Sequence, residues 1–125
     1  MAEFAKLRVG LAQINPTVGA LRENATKILD YYGQAADAGC DVVAFPELSI
    51  TGYPPEDLVL KQGFVAENQL VLGEIVKSIG ETYAVIGFVE QGQKSGELYN
   101  AAAICQNQKV VGVYRKHLLP NYNVF

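Results

Sequence analysis

Asp41-Val42-Val43-Ala44-Phe45-Pro46-Glu47-Leu48-Ser49-Ile50-Thr51-Gly52-Tyr53 is the stretch on which the fold turns. Its first five residues are short, β-branched and apolar on both faces, the pattern of a central strand covered on its two sides. Pro46 breaks that pattern, and Pro46 to Pro55, punctuated by glycine and proline, reads as a loop leaving the strand's carboxyl end. Loops in that position carry the chemistry of open α/β sheets.

Upstream, Leu7 to Asn15 (LRVGLAQIN) reads as a buried strand ended by Asn15-Pro16. From Leu21 the residues Leu21, Ala25, Ile28, Leu29, Tyr32 and Ala36 fall on one face at helical spacing, and Gly39 supplies a left-handed helix stop. Strand, helix, strand in this order predicts a right-handed parallel crossover. Downstream, a second helix is expected from about Glu56 or Leu60 to Ile79, with Asn68 the one polar residue on its apolar stripe. Three strands follow, Tyr83 to Gln91, Tyr99 to Gln106 and Lys109 to Arg115, the last two as a hairpin.

The 125 residues are one domain's worth, and with 50% hydrophobic content they can fill a core. The net charge of −3 gives no basic footprint for nucleic acid. The longest apolar stretch, Tyr83 to Val89, is far below the roughly 18 residues of a membrane span. Without a signal-like start, the expectation is a soluble, cytoplasmic protein that meets neither membrane nor nucleic acid. The chain stops after a loop at residues 120–125 with only two helices to cover a sheet, so a partner or further sequence is expected on the open face.

Glu47, directly after a strand, can act as a base; the plainer reading is a partly exposed loop glutamate accepting backbone hydrogen bonds. Alternation at Tyr114-Arg115-Lys116-His117 sends Arg115 and Lys116 to opposite sides of the sheet. A lysine there can stabilise a developing oxyanion, a role worth roughly 3 kcal/mol, although a solvated cationic strand end is more common. His117 has no Cys, Asp or Glu partner at metal-ligand spacing and reads as structural or surface. Cys40 and Cys105 form no disulfide framework, and neither sits in an activating position. The sequon Asn24-Ala25-Thr26 falls within a helix, and no glycine-rich phosphate loop occurs.

The order strand, helix, strand ending Phe-Pro-Glu-Leu-Ser-Ile-Thr-Gly-Tyr, then a hairpin ending Tyr-Arg-Lys-His-Leu-Leu-Pro-Asn-Tyr, resembles the nitrilase (carbon-nitrogen hydrolase) superfamily. Within it, the extension Tyr53-Pro54-Pro55-Glu56-Asp57-Leu58 is similar to the amino-terminal glutaminase domain of glutamine-dependent NAD+ synthetases. The resemblance implies an α/β fold, an incomplete nitrilase-type α-β-β-α sandwich, with residues 1–125 as the N-terminal part of the amidohydrolase domain. It further implies Glu47 as general base, Lys116 as oxyanion stabiliser, and Tyr53, Tyr122 and Phe125 shaping an L-glutamine pocket. The family's nucleophilic cysteine lies downstream of the lysine, so this chain alone is expected to be inactive. Asn123 stands where the family commonly has glycine, and Leu118 where it commonly has a second histidine.

The same resemblance implies no metal or cofactor for the amidase part, ATP and Mg2+ only for a missing C-terminal synthetase domain, and a homo-oligomer. Two other readings stand beside it: a piece of a stand-alone nitrilase-type amidase, and a non-catalytic α/β binding module using its open sheet face.

Overall fold

The computed structural model describes residues 5–55, 58, 59, 61–94 and 97–116, with only the backbone of Gln62. Seven elements follow in order: β1 (Val9–Leu11), α1 (Leu21–Asp37), β2 (Val42–Ala44), α2 (Gln62–Val76), β3 (Tyr83–Gln91), β4 (Leu98–Gln106) and β5 (Lys109–Arg115). The strands make one sheet in the order of the chain, β1-β2-β3 parallel and β3-β4-β5 antiparallel. Parallel strands that advance in one direction through crossovers of one hand put both helices on the same face. Ile28 and Tyr32 of α1 and Ile75 of α2 accordingly share a single core with Val43, Ile86, Ala103 and Cys105 of the sheet. The described residues form one helical layer on one sheet, half of the expected four-layer sandwich.

The other face explains where the strand expectations need correction. β1 is three residues long rather than nine, and it is not buried: Val9 is 49% and Leu11 75% exposed. It is an edge strand whose one neighbour, β2, offers only Val42 to Ala44 for pairing. In β2, Val43 points into the helical core while Val42 and Ala44 are only half-buried, so the strand is covered on one side rather than two. The second helix closes at Val76, three residues early, because Ser78 and Ile79 donate to the carbonyls three residues back in a tighter turn. β4 begins one residue earlier than expected, at Leu98. The helix stop at Gly39 is as expected, with φ +78°.

β2 leaves β3 after the Ala44–Val85 pair, so from Gly87 onward one edge of β3 must find other partners. Asn68 supplies them at Val89, accepting its N–H at Oδ1 (3.1 Å) and donating Nδ2 to its carbonyl. The polar residue on the apolar stripe of α2 thus replaces a missing strand, fully buried and fully bonded. Among the described residues, no helix is long and apolar enough to cross a membrane.

Candidate functional site

Phe45 donates its N–H to the Val85 carbonyl (2.9 Å), carrying the β2 direction one step further before the chain turns. Glu47 to Thr51 then wind into a tight turn that lies on β3, with Ile50 N–H on the Gly87 carbonyl (3.2 Å) and Gly52 N–H on the Leu48 carbonyl (2.8 Å). Leu48, wholly buried, is held at φ +49°, where a branched side chain costs roughly 1–2 kcal/mol. That strain is offset by packing against Val59, Val65 and Val89. Asn24 ties the turn to the segment after β1: its amide donates to the Thr17 and Ile50 carbonyls, both at 2.8 Å, and its Oδ1 accepts the Thr17 N–H. The asparagine of the sequon is therefore fully buried and committed.

This turn presents Glu47 over the sheet face opposite the helices. Register places Gly87, Asn100, Ala102, Tyr114 and Lys116 on that face, because partners across a ladder share a side. Arg115 goes to the helical side, forking onto Glu90 and lying 5.2 Å over the Tyr99 ring; the expected opposition of Arg115 and Lys116 is what the structure has. Glu90 raises the Arg115 pKa further above its already high value through that hydrogen bond.

Three polar side chains converge there. Lys116 Nζ lies 3.3 Å from Glu47 Oε1, and Asn100 Nδ2 donates to the same oxygen. They line an open cavity of about 270 Å³ together with Phe45, Val85, Gly87, Ala102 and Tyr114. Glu47 and Lys116 are each just under half exposed. An ion pair so wet contributes about 0–1 kcal/mol, too little to explain its placement by stability. Among the described residues, Glu47 accepts side-chain donors rather than the backbone N–H groups of the plainer expectation.

Sequence reasoning passed over Asn100. The signal was present, an asparagine opening the apolar run 100–104, and it is only 5% exposed. Tyr53 follows the turn, 49% exposed, and does not line the cavity. Tyr122, Phe125 and His117 lie outside the described residues, as do Leu118 and Asn123. Neither cysteine lines the cavity. Cys40 precedes β2 while Glu47 follows it, and Cys105 is buried in the helical core, where desolvation pushes its thiol up to about 11. Among the described residues, no three His, Cys, Asp or Glu side chains are grouped to hold a metal ion.

The profile of carbon-nitrogen hydrolases matches residues 8–124. A glutamine-dependent NAD+ synthetase of Thermotoga maritima is 42% identical over 123 residues, which are 96% of this chain and 21% of that protein. One from Xylella fastidiosa is 42% identical over 127 residues, all of this chain and 22% of its own length. Among solved structures, a glutamine-dependent NAD+ synthetase of Acinetobacter baumannii in complex with ADP superposes with a TM-score of 0.86 at 37% identity, covering 95% of this chain and 22% of that one. An amidase from Nesterenkonia shares the fold, with a TM-score of 0.75 at 21% identity over 92% of this chain and 44% of its own. The chain thus spans about a fifth of the length of these synthetases. With the family profile running through the Glu47 turn and the Lys116 strand end alike, this chain belongs to the carbon-nitrogen hydrolases.

Proposed function

We propose that this chain is the Glu- and Lys-bearing N-terminal part of a glutamine-hydrolysing amidase domain that supplies ammonia to a NAD+ synthetase. The observation that carries the reading is the Glu47–Lys116 pair, 3.3 Å apart on the wall of an open cavity although 69 residues separate them in sequence. Its similarity to glutamine-dependent NAD+ synthetases from several bacteria supports glutamine as the substrate.

In this reading Glu47 takes the proton of a cysteine thiol that is neither Cys40 nor Cys105, and the thiolate attacks the side-chain carboxamide carbon of glutamine. Lys116 donates to the oxyanion that forms. The tetrahedral adduct collapses, the C–N bond breaks, and Glu47 returns its proton to the departing ammonia, leaving a thioester. Water, deprotonated by the same carboxylate, cleaves the thioester and releases glutamate with the thiol restored. Tyr53, Tyr122 and Phe125 shape the glutamine pocket, and ATP and Mg2+ serve only the synthetase domain. The reading includes a cytoplasmic protein that associates with copies of itself.

Isotope tracing tests it. The polypeptide expressed from the whole reading frame should move the amide nitrogen of 15N-labelled glutamine into NAD+, and residues 1–125 alone should release no ammonia. Label found only as free ammonia would favour a stand-alone amidase, and absence of hydrolysis by the full polypeptide would leave a binding module.

A further inference from the structure

Asn100 joins the two charged residues by two separate bonds. Its backbone carbonyl accepts the Lys116 N–H at 3.0 Å, fixing where the lysine leaves the sheet, while its side-chain amide donates to Glu47. Both donors, Asn100 Nδ2 and Lys116 Nζ, fall on Oε1 of Glu47, and neither reaches Oε2. A carboxylate oxygen already accepting two hydrogen bonds is a poor site for a third proton donor, so the two oxygens are made unequal.

We propose that Asn100 is a positioning residue that, with Lys116, locks Oε1 of Glu47 and so makes Oε2 the oxygen that exchanges the proton with thiol, ammonia and water. The proposal rests on the amidase reading above. Asn100 suits the task because it is rigid: it is buried on β4, paired across to Val89 of β3, and its amide is neutral, so it aims the carboxylate without adding a competing charge. Lys116 alone cannot do this, since its long side chain is close to half exposed and must also serve the oxyanion.

The test uses the full polypeptide in steady-state glutamine hydrolysis with Asn100→Leu, Asn100→Asp and Asn100→Ala, each removing the donor with a different shape or charge. A misplacement of the base of about 1 Å costs about 10²-fold, so kcat should fall by about that factor with KM within twofold. In a Glu47→Gln background the Asn100→Leu change should cost nothing further, because the residue acts only through Glu47. Folded Asn100 variants that keep kcat within threefold, or that raise KM instead, overturn the proposal. Failure of all three to fold assigns Asn100 a structural role and overturns it too. If Glu47→Gln itself retains activity, the amidase reading fails; if only the Asn100 variants do, the reading stands and the positioning role falls.

Discussion

Glu47→Gln in the full polypeptide is expected to lower kcat for glutamine hydrolysis by about 10²–10⁴-fold, the usual worth of a positioned general base. The replacement keeps the side chain's length and its Oε1, so Asn100 and Lys116 retain an acceptor and the cavity wall keeps its shape. What is lost is the ability to hold a proton, which the reaction needs twice: once from the thiol to the ammonia, and once from the water back to the thiolate. Stability should barely change, because the Glu47–Lys116 pair is close to half exposed and such pairs contribute about 0–1 kcal/mol. Initial rates of ammonia release beside thermal melts would check both halves. A fall below tenfold, or a large fall in melting temperature, would argue that Glu47 supports the fold rather than the chemistry.

The second large effect is expected at a residue with no functional group. A Cβ on Gly87 would lie 2.4 Å from Leu48 N and 2.7 Å from Pro46 O, both backbone atoms of the turn that carries Glu47. Neither can rotate away, so Gly87→Ala must push the turn off β3 by roughly 1 Å to restore ordinary contact. Overpacking of this kind costs about 1–3 kcal/mol, and displacing the base by that distance should cost about 10²-fold in kcat. Gly73→Ala is the control: nothing lies within 4 Å of its Cβ position, it sits on the exposed side of α2, and alanine there should add about 1 kcal/mol of stability. Denaturant midpoints and kcat for the two variants would separate these outcomes. Equal behaviour of the two would mean that close approach at Gly87 does not hold the turn.

The reach of the sequence follows from which interactions are local. α1 was legible because its apolar residues repeat at helical spacing and Gly39 marks its end, both properties of a short window. β1 was over-read because apolar composition reports a tendency to be covered, whereas its length is set by a three-residue neighbour far along the chain. Asn68 looked like a flaw for the same reason: its partner, the backbone of Val89, is 21 residues away and lacks a strand neighbour on that edge only because β2 departs early. In the candidate site, Glu47 and Lys116 could be nominated individually from their strand ends, but only the resemblance paired them, since no spacing rule joins residues 47 and 116. Asn100 carries no motif of its own, and its meaning emerges once register sets it between the other two.

If Glu47 and Lys116 serve a glutamine amidase, its nucleophile is a cysteine other than the two in this chain. The most direct measurement is peptide mapping by mass spectrometry after treating the polypeptide of the whole reading frame with a diazoketone analogue of glutamine, which alkylates an activated thiol and releases N2. One adduct is expected, on a cysteine outside residues 1–125, protected by glutamine and lost in Glu47→Gln. An adduct on Cys40 or Cys105, or labelling that is indifferent to Glu47, would contradict this expectation.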